Sequence, residues 1–136
     1  MSTLAQRYSS HAPKALAVLR IVAAFMFIQT GTLKLFAFPI GMPPDNGTAA
    51  AFSQIWLAGV LEVFGGLLVM IGLFTRPVAF LLSGLMAVAY FQGHAHLSFW
   101  TVENGGMGAV LYCFLWLYYS MAGAGEWSVD AMLGKK

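Results

Sequence analysis

The chain has 136 residues, of which 60% are hydrophobic and only 9% charged, whereas an ordinary soluble domain carries about 25% charged residues. Seven cationic and five acidic side chains hardly cover the surface of one small domain, the high hydropathy excludes intrinsic disorder, and the single Cys113 excludes a disulfide scaffold. What remains is a small integral membrane protein.

Four apolar stretches of roughly membrane length follow in order. A helix needs about 20 residues to cross the hydrocarbon core. The first stretch runs over residues 15–38 and carries Arg20 and Lys34. Its two cations interrupt the apolar run and no Ala-x-Ala processing site follows, so it is expected to be retained rather than cleaved. The second, 54–74, has Glu62 as its one charge. The third, 77–93, opens on Pro77, where a missing N–H costs nothing. The fourth, 105–122, has no charge, and its segment GAVLYCFLWLYYSMAG lacks the polar face that a soluble bundle requires. None alternates with the period of two that a barrel strand shows.

These stretches predict an all-α integral membrane four-helix bundle of antiparallel up-down topology, forming one domain over residues 1–136. Pro43, Pro44 and Asn46-Gly47 mark turns in the first linker, and Thr75-Arg76 makes a tight hairpin between the second and third spans. Arg7, Lys14, Arg76, Lys135 and Lys136 all fall on one side. By the positive-inside rule both termini are cytoplasmic, which predicts a multi-pass protein of a bacterial cytoplasmic (inner) membrane.

Charges inside spans are costly, and they face the bundle interior, pair, or snorkel. Arg20 and Lys34 stand fourteen residues apart, close to four turns, and so share a face of the first helix. Glu62 enters from the opposite direction at a depth between them and is placed to meet either cation. Its short stem leaves two readings: a structural pair that fixes helix packing, or a proton-handling or ligand-binding group in a polar cavity. Gln29 and Thr30 lengthen the polar stripe between the cations. A second polar cluster holds Tyr90, Gln92, His94, His96, Trp100, Glu103 and Asn104. It is open to three readings: hydrogen bonding at the interface, a site for the polar head of an amphipathic substrate such as a quinone, or a metal site, the last disfavoured by the loop spacing of the histidines. No metal and no covalently attached cofactor is predicted. Cys113 has no partner for dithiol chemistry, and the few cations form no nucleic-acid stripe.

Several motifs together resemble the DoxX family of small bacterial membrane proteins. In the first span they are Leu19-Arg20, Phe27, Gly31 and Lys34-Leu35; in the second, Glu62, Gly65-Gly66 and Gly72-Leu73-Phe74-Thr75-Arg76, followed by Ala79. Asn104-Gly105-Gly106 precedes the fourth span, and the chain ends Gly125-Glu126-Trp127-Ser128-Val129-Asp130 with a basic tail. Ala24 and Gly108 depart from the pattern, where the family often has glycine and glutamate. The resemblance implies a membrane subunit linked to a quinone-dependent oxidoreductase complex. Glu62 would then exchange protons, Lys34 or Arg20 would stabilise negative charge, and a protein partner would supply any electron-transfer centre. The competing functions are a non-enzymatic membrane partner or assembly subunit, and a small-solute carrier. Membrane lipids and a second copy of the chain are further expected partners.

Overall fold

The computed structural model describes residues 3–135, and all its regular elements are helices. In chain order they are α1 (Leu4–Phe36), α2 (Gln54–Ile71), α3 (Thr75–Gly93), α4 (Thr101–Asn104), α5 (Met107–Ala122) and α6 (Val129–Met132). Lys136, one of the cations used to orient the chain, lies outside the described residues.

Local chemistry explains where the long helices start and stop. Thr3 and Gln6 cap α1 reciprocally, the Thr3 N–H donating to Gln6 Oε1 at 2.8 Å and the Gln6 N–H to Thr3 Oγ1 at 3.3 Å. Helix α1 therefore begins eleven residues before the apolar stretch that marks it in the sequence. Hydropathy reports the part suited to lipid, whereas capping decides where the helix starts. Ser53 caps α2 through the Trp56 N–H at 3.2 Å. Gly72, in the left-handed region at φ 72°, ends α2 three residues earlier than expected. Asn104 arranges the turn into α5, its Oδ1 accepting from the Gly106 N–H at 2.7 Å and its Nδ2 donating to the Ser98 carbonyl at 2.9 Å.

Helix α1 packs along α2, and α3 packs along α5. The first contact is close because it is made by glycines. A methyl group on Gly31 would stand 2.7 Å from Val63 Cγ2 and 2.8 Å from the Gly59 carbonyl, so neither backbone could approach so nearly with a side chain there. All four long helices supply the core, which includes Phe27 of α1, Val69 of α2, Leu82 of α3, and Trp116 and Tyr119 of α5. The Tyr112 and Tyr119 hydroxyls donate to the Ala23 and Leu16 carbonyls at 3.1 and 2.7 Å, fastening α5 to α1.

The outward surface is unusually apolar. Phe25 and Met26 of α1, Phe64 of α2, Phe80 of α3, and Leu111 and Phe114 of α5 are all exposed. Helices α1 and α2 are long and apolar enough to cross a membrane, and only 33% and 22% of their apolar windows are buried. A core helix of a soluble protein would hide most of such a stretch; here the greasy faces point outward, where only lipid suits them. Helix α5 is similarly apolar but has only 16 residues, about 24 Å of rise.

Candidate functional site

The buried stripe of α1 follows the spacing of three and four residues that holds a helical face: Ala17, Arg20, Ala24, Phe27 and Gly31. Lys34 continues it. Its ammonium donates to both oxygens of Glu62, at 2.6 Å to Oε1 and 2.5 Å to Oε2. The Glu62 side chain is 2% exposed and that of Lys34 22%. The two residues meet because the Gly31–Gly59 contact sets the register of α1 on α2.

This ion pair borders a cavity of about 560 Å³. Its apolar walls come from Ile55 and Ala58 of α2 and Leu85 and Val88 of α3, and Gln54, Gln92 and His94 contribute the other polar groups. The Gln54 carboxamide donates to the Gln92 side-chain carbonyl across the gap between α2 and α3. Ile55 and Val88 are also exposed on the outer surface, so the cavity reaches the apolar face of the protein.

Arg20 does not join this group. Its fully buried guanidinium lies toward the other end of α1, where it donates to the Ala124 carbonyl and, at 2.9 Å, to the Trp127 carbonyl. It thereby binds the segment after α5 and is far from Glu62. Gln29 and Thr30 do not extend the polar stripe, since both are exposed. Gln29 stands nine residues from Arg20, two and a half turns, which puts it on the opposite side of α1.

The structure divides the expected histidine cluster. Gln92 and His94 line the Lys34–Glu62 cavity. Tyr90 and Trp100 instead line a second cavity of about 610 Å³ between α3 and α5, with Phe91, Phe99 and Phe114 around them. His94 Nδ1 lies 2.9 Å from the Asn104 carbonyl oxygen, and the His94 ring stacks on Tyr90 with centroids 6.5 Å apart. His96 is exposed.

Two important residues gave little signal in the sequence. Gln54 looks like an ordinary polar helix start. Asp130 stands in the tail, yet its carboxylate accepts from the N–H groups of Phe74 and Thr75, each at 2.9 Å, and so caps α3 from 55 residues away. Phe74, at the α3 N-cap, has no capping side chain of its own. The one hint was the likeness of the chain's end to a family pattern, which suggested importance without a role. Burial disfavours ionisation of Asp130, but the backbone donors of Thr75 and Phe74 together with Lys135 outweigh it and hold the carboxyl below its ordinary 3.8. Its contribution to stability should therefore be complete above about pH 4 and be lost as the pH falls further. Asp130→Asn is expected to cost about 1–2 kcal/mol at neutral pH. Thermal unfolding of the two proteins should differ at pH 7 and converge on acidification below pH 4.

The fold and the site thus define a helical membrane protein with a paired carboxylate and ammonium beside a cavity that reaches its apolar surface. The DoxX family model matches residues 15–95, which carry α1 from residue 15 onward, all of α2 and α3, and Lys34, Glu62 and Gln92. An uncharacterized protein of Haemophilus influenzae is 46% identical over 128 residues, covering 91% of this chain and 94% of that one. The chain belongs to the DoxX family. No solved structure matches it.

Proposed function

We propose that this DoxX protein is a multi-pass subunit of the bacterial cytoplasmic membrane that binds a lipid-soluble ligand of the quinone type beside Lys34 and Glu62, within an oxidoreductase complex. In this reading α1, α2, α3 and α5 cross the bilayer as an up-down bundle forming a single domain. Both termini are cytoplasmic. Support for that orientation comes from Arg20, which ties the chain after α5 to α1, and from Asp130, which ties the tail to the α2–α3 turn. These contacts gather Lys14, Arg76 and Lys135 toward one end, as the positive-inside rule expects of a cytoplasmic face.

The observation that carries the ligand reading is an ion pair bordering a cavity of about 560 Å³ whose other walls are mainly apolar, with Gln54, Gln92 and His94 as the remaining polar groups. A pair needed only for packing would be surrounded by side chains, without space beside it. The residues fit a quinone head. Ile55, Ala58, Leu85 and Val88 suit a ring and its tail, and Lys34 keeps one N–H after bonding both Glu62 oxygens. Bound there, a quinone would supply two-electron, two-proton redox chemistry. Lys34 Nζ would hold an oxygen by a charge-assisted hydrogen bond and favour negative charge on it. The Glu62 carboxylate, once released by Lys34, would be the group to take or give a proton.

The test is binding of a decyl-substituted benzoquinone to protein in phospholipid nanodiscs. Replacing both members of the ion pair, Lys34→Met with Glu62→Leu, removes the charges without leaving one unpaired. That variant should bind the probe about tenfold or more weakly, since a hydrogen bond from a charged donor is lost. Equal affinity in the two proteins would sink the reading. A non-enzymatic assembly subunit is the second reading, favoured by the position of the ion pair beside the Gly31–Gly59 contact, where it also pins α1 to α2. It is supported instead if a protein partner co-purifies with the wild type and is lost from the doubly substituted protein while probe binding is absent from both.

A further inference from the structure

At the end of the bundle opposite the Lys34–Glu62 pair, the α2–α3 turn, the end of α5 and the chain's tail meet around a small cavity of about 120 Å³. It has room for several waters, and so for the five heavy atoms of a phosphate group. Two cations line it, Arg76 from the first turn of α3 and Lys135 from the tail.

Each cation is held in place by contacts that do not neutralise it. Arg76 Nη1 donates to the carbonyls of Ser120, at 3.3 Å, and Met121, which are orphan acceptors at the end of α5. Its guanidinium lies against Gly123, where a methyl group would stand 3.3 Å from Nη2. Neither Nη2 nor Nε finds an acceptor among the described residues, so three of the five N–H groups of Arg76 stay open. Lys135 Nζ sits 4.5 Å from the centroid of the Phe74 ring, a contact that positions an ammonium and leaves its charge intact. Asp130 also borders the cavity, with its two oxygens accepting from the Phe74 and Thr75 N–H groups. Two cations against this one carboxylate leave a net charge of +1, the complement of a phosphodiester.

Depth and surroundings suit a lipid. Helix α3 has 19 residues, about 28 Å of rise, close to the thickness of a hydrocarbon core. Its first turn, with Arg76, therefore falls at the level of the headgroups when α3 crosses the bilayer. Phe74, Phe80 and Met121, around and beyond the cavity, are exposed and apolar.

We propose that this end of the bundle is a binding site for an anionic phospholipid. Arg76 and Lys135 hold the phosphate oxygens, and the acyl chains lie along the exposed faces of α3 and α5. A zwitterionic lipid brings its own cation and gains less from the site. The proposal rests on the reading that α3 and α5 cross the bilayer, and is independent of any ligand beside Lys34.

The full-length protein in uncharged detergent is titrated with phosphatidylglycerol or with phosphatidylcholine of the same chains, and bound lipid is counted by native mass spectrometry. Each basic residue near a lipid surface is worth about fivefold, so the wild type should prefer phosphatidylglycerol about 25-fold. Arg76→Gln and Lys135→Gln should each reduce that preference about fivefold, and the double variant should abolish it. Both side chains are exposed, so these variants should fold, and the thermal midpoint verifies it. Arg76→Lys keeps the charge and loses the fork that reaches two carbonyls, so it should retain most of the preference even where the midpoint falls. A loss in Arg76→Lys equal to that in Arg76→Gln overturns the charge role. Lys14, exposed on α1, does not line the cavity, and Lys14→Gln should change the preference by less than about twofold. An equal fall there would reveal a diffuse surface potential and overturn the site. Excess inorganic phosphate should displace little phosphatidylglycerol, because it lacks the apolar chains; full displacement would reassign the cavity to free phosphate. Protein that enters phosphatidylcholine nanodiscs but shows no lipid preference overturns the site alone. Protein that fails to enter them overturns the spanning reading as well.

Discussion

Replacing Lys34 with Met is expected to destabilise the protein by about 3–5 kcal/mol, the cost of leaving a buried charge without its partner. Glu62 is 2% exposed and both its oxygens accept from Lys34, so the substitution strands a carboxylate among apolar groups. The reverse change should be milder. Glu62→Gln leaves Lys34, which is 22% exposed and has a long apolar stem that lets the ammonium turn toward water. Removing both charges together, Lys34→Met with Glu62→Leu, should recover most of the loss, because desolvating two charges offsets much of their attraction. Reversible unfolding in mixed micelles of the two single variants and the double variant measures all three terms. Equal losses for the single changes, with no recovery in the double, would show that the pair contributes through shape and not through charge.

Arg20→Met should be comparably costly, about 3–5 kcal/mol, but its effect should fall on a different part of the molecule. The guanidinium is fully buried and donates to the carbonyls of Ala124 and Trp127. A hydrogen bond from a charged donor contributes about 1.5–3 kcal/mol, and the orphaned carbonyls add a desolvation cost. Arg20→Lys should restore less than half, since one ammonium cannot reproduce the planar fork that reaches both acceptors. Freed of Arg20, the chain after α5 should detach and take Asp130 away from α3. Proteolysis and hydrogen exchange should therefore rise over residues 123–135 in Arg20→Met. In Lys34→Met the same segment should stay protected. If the segment is equally protected in both variants, Arg20 is not what holds it.

These two cations looked alike in the sequence, and the reason they differ is geometric. Helical spacing correctly put Arg20 and Lys34 on one face of α1, and that face is the buried one. Which of them meets Glu62 depends on how far α1 slides along α2, and that register is set by glycines at 31 and 59 whose closeness no periodicity reports. Gln29 and Thr30 illustrate the converse error. Their position between two cations in sequence suggested membership of the stripe, but the helix turns them outward.

Composition alone determined the class of this protein. Once only 9% of residues are charged, no soluble surface can be assembled, and the outward faces of α1, α2, α3 and α5 are accordingly apolar. Hydropathy carried the second span past Gly72 and left α4 unmarked, although Gly72 and Asn104 fix the backbone at the ends of those helices. Tertiary structure decided everything that needs two distant segments to meet. It put Asp130 at the start of α3, Gln54 against Gln92, and Arg20 among carbonyls a hundred residues on. Local sequence can specify a backbone dihedral or a helical face, but not the partner that a side chain finds across the fold. That choice belongs to packing, which assigned the buried charges of this membrane protein to two separate ends.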